Sequence, residues 1–190
     1  MKQLQPCACG VESHERLKML QNNVSDTVKI GVLSDTHSFL HPIIFDFFKD
    51  CEQIWHLGDI GDVNIWQKLS DFKPLKAVYG NIDGAEIRNL TQECLFFEVG
   101  GLKVLLTHIG GYPPLYQAKS RELLQRFEPD IFACGHSHIL KVMFDKKRQL
   151  LYINPGAAGK YGFHKAITML RFEIKNKKPQ NMEIFHEDKN

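Results

Sequence analysis

The chain has 190 residues, 43% of them hydrophobic and 24% charged, with a formal net charge of +2 at neutral pH. That length builds one domain with a sizeable core and leaves too little for two. The near-neutral balance gives no dedicated nucleic-acid surface, and no run approaches the roughly 18 apolar residues of a membrane-spanning helix.

Residues 1–26 are polar and weakly patterned, and are read as an appendage to a domain spanning 27–190. A short helix over 13–22 fits them, capped by Ser13 and with Leu17 and Leu20 on one face. Met19 is an alternative start. Cys7, Cys9 and His14 supply three ligands where a structural zinc site takes four. Lys2 is followed by no apolar stretch, so the expectation is a cytoplasmic protein without a secretory leader. Five cysteines at irregular spacing are no disulfide framework, and Cys51, Cys94 and Cys134 beside apolar runs are read as packing residues.

The apolar pattern predicts a buried strand over 28–33, then a helix over 42–49 with Pro42 in its first turn. A strand over 53–57 leads to a helix over 62–72, where Val63, Trp66 and Leu69 are spaced three apart. A third strand over 75–79 ends at Gly80. Residues 95–99 and 102–107 form a hairpin across Gly100-Gly101. A helix over 115–127 stops before Pro129, and a strand over 130–134 delivers Gly135-His136. Strands over 140–144, 150–153, 166–174 and 182–186 follow. The basic stretches at 146–148 and 175–178 fall between strands and are read as solvated turns. Alternating strands and helices followed by consecutive strands predict an α/β fold, a two-sheet sandwich flanked by helices. Ligands of such folds gather at the carboxyl ends of the strands.

Five short motifs sit at those ends: Asp35-Thr36-His37, Gly58-Asp59, Gly80-Asn81, Thr107-His108 and Gly135-His136-Ser137-His138. A lone Gly-Asp is usually a turn and a lone strand histidine is usually packed. Five in one chain, all Asp, Asn or His, point to two metal ions. On extended backbone residues i and i+2 share a side, so Asp35 and His37 reach one ion together. His136 and His138 have the same spacing, but each can serve a different ion if the chain bends at Gly135. Asp59 is free to bridge both ions. A mixed oxygen and nitrogen set without thiolate suits Mn²⁺, Fe, Zn²⁺, Ni²⁺ or Co²⁺. Two such ions about 3.5–4 Å apart clamp the attacking and leaving oxygens of an in-line displacement and turn a bridging water into hydroxide near neutral pH.

The order Asp-x-His, Gly-Asp, Gly-Asn, His, Gly-His-x-His resembles the calcineurin-like metallophosphoesterase superfamily. With the short length and Asn154-Pro155-Gly156, it looks like the small YfcE-type phosphodiesterase branch, over residues 28–187. The resemblance implies a two-sheet α/β sandwich with a dinuclear site, Mn²⁺ being the leading metal. It implies that Asp35, His37, Asp59 and His138 hold the first ion, and that Asp59, Asn81, His108 and His136 hold the second. Asp59, Asn81 and His108 then count as catalytic, and the activity is hydrolysis of a small phosphodiester by a metal-bridging hydroxide. Relatives are sometimes dimers, so a homodimer is among the expectations. The same fold also serves, in a eukaryotic retromer subunit, as a non-catalytic protein-binding scaffold that has lost ligand residues. A phosphomonoesterase or nucleotidase is a further alternative.

The chain departs from the family at Gly80-Asn81-Ile82-Asp83, where many members have a histidine that protonates the leaving group. Such general-acid help is worth about 10²–10⁴-fold. Its loss favours activated esters such as aryl phosphodiesters. Asp83 is read as orienting Asn81 or stabilising the turn. Gly156-Ala157-Ala158 lacks a hydroxyl that relatives carry near the site. His108-Ile109-Gly110-Gly111 has an extra residue that widens the loop before Tyr112-Pro113-Pro114. Tyr112, Tyr116 and Phe163 are read as packing residues with a second option of shaping the pocket. His56 is either a satisfied core histidine or a support behind a ligand. Cys134 is read as buried and inert, and His14, His41, His164 and His186 show no partner pattern.

Overall fold

The computed structural model describes residues 27–189. The helix expected over 13–22 and the cluster of Cys7, Cys9 and His14 lie outside them. In chain order the strands are β1 (Thr27–Leu33), β2 (Gln53–His56), β3 (Leu75–Ala77), β4 (Cys94–Val99), β5 (Leu102–Thr107), β6 (Gly111–Tyr112), β7 (Leu115–Tyr116), β8 (Ile131–Ala133), β9 (Leu140–Asp145), β10 (Leu150–Pro155), β11 (Ala166–Lys175) and β12 (Lys178–Asp188). The helices are α1 (Ile43–Phe47), α2 (Val63–Phe72), α3 (Ala85–Leu90) and α4 (Ala118–Phe127).

Side-chain alternation along the strands makes the layers. Ile30 and Val32 of β1, Val104 and Leu106 of β5, and Leu170 and Phe172 of β11 meet around Trp55 in the core between the sheets. Their neighbours point the other way. Leu33, Ile54 and Met169 cover Ile44, Leu69 and Ile87 of the first three helices, together with Phe48 at the end of α1. Leu105, Phe132 and Tyr152 cover Leu124 of α4. The result is the two-sheet α/β sandwich with helices on both outer faces. Each of the larger apolar side chains contributes about 1.5–3 kcal/mol on full burial.

One sheet runs β12-β11-β1-β2-β3 and the other β4-β5-β8-β10-β9. Parallel pairing of β1, β2 and β3, and of β5, β8 and β10, brings the carboxyl ends of six strands to one edge. Asp62 caps α2 by accepting from the Asn64 amide at 2.8 Å, as the pattern around Val63 implies.

Three local expectations change. The helix over 115–127 begins only at Ala118, because Leu115 and Tyr116 form β7 against β6. Two contacts hold that hairpin against the helical pattern: the Tyr116 hydroxyl donates to Asp145 Oδ2 at 2.7 Å, and the Gln117 amide to the Gly110 carbonyl at 3.1 Å. Helix α3 was not signalled, since it buries a single apolar residue, Ile87, and Gly84 gives it no side-chain cap. The last strand reaches from Lys178 to Asp188 because backbone pairing to β11 continues past the apolar stretch. Among the described residues no helix is long and apolar enough to cross a membrane.

Candidate metal centre

The five motifs converge from the ends of β1, β2, β3, β5 and β8. They do so on backbone that is not extended. Asp35, His37, Asp59, His136 and His138 all have left-handed conformations, with φ between 45° and 68°. This overturns the geometric reasoning from extended spacing while keeping its grouping. Non-glycine residues occupy that region at a cost of order 1–3 kcal/mol each, and such strain concentrates at functional sites. The chain turns sharply at each of these residues and so aims short side chains inward.

Ligand-type atoms of Asp35, His37 and His138 lie within 4.8 Å of one another, and so do those of Asp59, His108 and His136. In the first group His138 Nε2 is 3.2 Å from Asp35 Oδ1 and 3.3 Å from His37 Nε2. In the second, His108 Nε2 is 3.0 Å from Asn81 Oδ1 and 3.3 Å from Asp59 Oδ1. The other oxygen of Asp59 faces the first group, 3.7 Å from His37 Nε2. One carboxylate therefore addresses both groups. His136 and His138 part, one to each group, because both backbones turn.

The donor set fits a cation. Asp35 Oδ1 is completely buried yet has no hydrogen-bond partner, although His138 Nε2 is close by. Such an orphan costs about 1–3 kcal/mol or more unless something positive satisfies it. His108 commits Nδ1 to the Leu57 carbonyl at 2.8 Å, so its Nε2 faces two oxygens that only accept. Burial pushes the His108 imidazole down, but the Asp59 carboxylate outweighs this and raises it. Burial likewise pushes Asp59 up, and its hydrogen bond with His108 brings it below the usual range. The two groups thus favour opposite charges across this contact, where a divalent cation would compete with a proton. His37 and His136 are lowered, chiefly by burial, which leaves neutral imidazoles able to ligate.

The loops are tied from behind. His56 is fully buried; its Nδ1 accepts from the Gly58 amide at 3.3 Å, so Nε2 carries the proton and donates to Thr36 Oγ1 at 3.0 Å. Burial pushes its pKa down to about 4, which keeps this arrangement neutral. Both sequence options for His56 hold at once, since it is a satisfied core histidine that joins the loops of Asp35 and Asp59. Asp83 does the same for the next pair of loops, accepting from the Gly61 and Gly80 amides at 2.8 and 2.7 Å. Its side chain makes no bond to Asn81 among these contacts; it stabilises the turn. Asn154 donates to the Gly135 carbonyl at 2.9 Å and steadies the His136 loop. Gly80 is required by close approach, because a Cβ there would overlap Asp59 Oδ1. Ile82 donates its amide to Asp59 Oδ1 at 3.0 Å and leaves its side chain 47% exposed.

Two clefts flank the ligand groups. One of about 440 Å³ is lined by Asn81 and His108 together with Arg88, Glu93 and Lys119. The other, of about 490 Å³, is lined by His136 and His138 with Ile139, Tyr161, Phe163 and His164. Phe163 is fully exposed there and is no packing residue. Tyr116 is packed and bonded to Asp145, while Tyr112 lies under Lys141 Nζ at 3.9 Å. Tyr161 and His164 had no sequence signal; Tyr161 stands 5.3 Å from the His37 ring, centroid to centroid. Ala157 and Ala158 are fully buried, so the absent hydroxyl lies inside the fold and not at the mouth. Cys134 is buried behind the site, its thiol pushed up to about 12 by that burial, and is inert.

A family profile described as the calcineurin-like phosphoesterase superfamily domain matches residues 28–177. A probable metallophosphoesterase of Methanothermobacter thermautotrophicus is 32% identical over 136 residues, covering 67% of this chain and 76% of that protein. A phosphodiesterase of Methanocaldococcus jannaschii is 27% identical over 145 residues, covering 68% and 83% respectively. In fold the chain is similar to vacuolar protein sorting 29 of Cryptosporidium parvum, with a TM-score of 0.66, 17% identity, and coverage of 86% of this chain and 99% of that one. The matched span contains the whole set from Asp35 to His138, and on that span the chain belongs to the calcineurin-like phosphoesterase superfamily.

Proposed function

We propose that this protein is a hydrolase of small phosphodiesters that works with two divalent cations. Asp35, His37 and His138 with one oxygen of Asp59 would hold the first cation; Asn81, His108 and His136 with the other oxygen would hold the second. The observation that carries this reading is Asp59, whose two carboxylate oxygens face the two groups separately. When bound, such cations generate a nucleophile from water near neutral pH and neutralise charge on the phosphoryl oxygens. Mn²⁺ is the leading candidate, with Ni²⁺, Fe, Zn²⁺ and Co²⁺ as alternatives of similar chemistry.

The chain's own residues do the rest. The Leu57 carbonyl fixes the His108 ring with Nε2 inward, and the Ile82 amide fixes Asp59. The two flanking clefts suit a phosphorus centre with a substituent on either side, which favours a diester over a monoester. No side chain at position 82 donates a proton to the departing alkoxide, so activated leaving groups are preferred.

The rival reading is a protein-binding scaffold of the same fold. It draws on the exposed Ile82, Ile109, Ile139, Tyr161 and Phe163 and on the likeness to vacuolar protein sorting 29. Hydrolysis of bis(p-nitrophenyl) phosphate with Mn²⁺ or Ni²⁺ added back after chelation separates the two. Asp59→Asn and His108→Ala should each abolish turnover with an unchanged circular dichroism spectrum. A wild-type protein that binds its cations and cleaves no diester supports the scaffold instead.

A further inference from the structure

His138 turns Nε2 toward Asp35 Oδ1 at 3.2 Å and His37 Nε2 at 3.3 Å. Its other ring nitrogen lies 3.1 Å from Nδ1 of His164, and Nε2 of His164 lies 3.0 Å from the Gly159 carbonyl oxygen. The last two contacts fix the protons. A carbonyl only accepts, so His164 Nε2 carries a hydrogen and donates it. A neutral imidazole has one N–H, so His164 Nδ1 is a bare acceptor. His138 must then donate from Nδ1, which leaves the lone pair on its Nε2 facing Asp35 and His37. That is the tautomer a metal ligand requires.

We propose that His164 is a positioning residue for the metal centre, setting the tautomer and the ring orientation of His138 through this contact. The inference rests on the reading of Asp35, His37 and His138 as cation ligands and goes beyond it.

The local backbone is built around the pair. The two rings meet edge to face, at 81° with centroids 4.9 Å apart. Gly162, at φ 120°, passes beside them where a Cβ would lie 2.5 Å from His138 Nδ1 and 3.0 Å from His164 Nδ1. The anchor is tied to the same group: the Gly159 amide donates to the Asp35 carbonyl at 3.0 Å. Asp35, Gly159, His164 and His138 thus form a closed circuit of contacts, and a shift of one is felt by the ligand opposite. Partners of this kind behind a ligating histidine are typically worth about 10–100-fold in metal affinity.

The test uses the full chain depleted of metal, titrated with Mn²⁺ by calorimetry and with Co²⁺ by its visible spectrum. His164→Ala should weaken one of two binding equivalents by roughly 10–100-fold, leave the other in place, and change the Co²⁺ bands. His164→Asn puts an oxygen near the position of Nδ1, restores the acceptor for His138, and should recover affinity to within a few-fold. His164→Gln reaches the Gly159 carbonyl but not His138, and should behave like His164→Ala. A role confined to loop stability would make Asn and Gln equivalent, and that result overturns the proposal. So does His164→Ala binding both equivalents as wild type does. If His164→Ala does not fold, the Asn and Gln pair decides. Wild type that binds no cation removes the ligand reading and this inference together; wild type that binds two but cleaves no diester removes only the proposed activity.

Discussion

Replacing Asp83 with alanine should cost more stability than its distance from the ligand groups suggests. The side chain is 3% exposed and accepts two backbone hydrogen bonds, from Gly61 at 2.8 Å and from Gly80 at 2.7 Å. Hydrogen bonds to a charged group contribute about 1.5–3 kcal/mol each. Asp83→Ala removes both and strands two amides, for a loss of about 3–6 kcal/mol. Against the usual total of about 5–15 kcal/mol, the protein stays folded but with a much thinner margin. For a domain of this size that is a fall of roughly 10 °C in Tm. Asp83→Asn keeps the shape but turns one acceptor into a donor facing an N–H, so it should lose about half as much or more. Urea unfolding followed by tryptophan fluorescence reads this directly, because Trp55 is fully buried in the inter-sheet core. Metal affinity should fall in parallel, since the two amides belong to the loops of Asp59 and Asn81. An Asp83→Ala protein within 1 kcal/mol of wild type (a limit set by the ~1.5 kcal/mol floor for one such bond) refutes the idea that this carboxylate joins the loops.

Gly80→Ala should destroy binding of both cations, because the added methyl overlaps Asp59 Oδ1; equilibrium dialysis with Mn²⁺ checks it, and normal binding would mean the loop yields freely. Ile82→His should raise the rate on alkyl phosphodiesters, by up to about 10²–10⁴-fold, with little change on aryl ones; equal gains on both would count against a missing proton donor. Asp145 supplies a pH test. Burial pushes its carboxyl up, but the Tyr116 hydroxyl and the Arg148 and Lys147 amides outweigh this and hold it below the usual range. A depressed folded pKa means the stabilisation is complete above about pH 4, the unfolded value, and drains away as pH falls through the folded one. The stability gap between wild type and Tyr116→Phe, about 1–2 kcal/mol at neutral pH, should therefore shrink in acid. A gap that is constant down to about pH 3, below the unfolded carboxylate value, would show that the bond does not depend on the charge.

The layers were legible because strand alternation and helical spacing are local signals, and both are strong in β1, β5 and α2. The candidate ligand residues were legible because five short motifs of Asp, Asn and His recur after apolar strands in one chain, which turns and packing explain one by one but not together. The extended backbone expected at Asp35 and His37 does not form: their amides donate to the Gly58 and Asp59 carbonyls of another loop, at 3.0 Å each, which the local sequence does not display. His164 was invisible for the same reason. Its partners His138 and Gly159 lie 26 and 5 residues away, in segments without periodicity. Tyr116 read as helical because its bond to Asp145, 29 residues on, outweighs local propensity.

The most direct measurement is reconstitution of the metal-free protein with Mn²⁺, following bound metal and cleavage of bis(p-nitrophenyl) phosphate in the same samples. A two-cation phosphodiesterase shows no turnover without metal, a rise that completes at two ions per chain, and none with Asp59→Asn at any loading. Full activity at one ion, or two ions bound without turnover, would contradict that function.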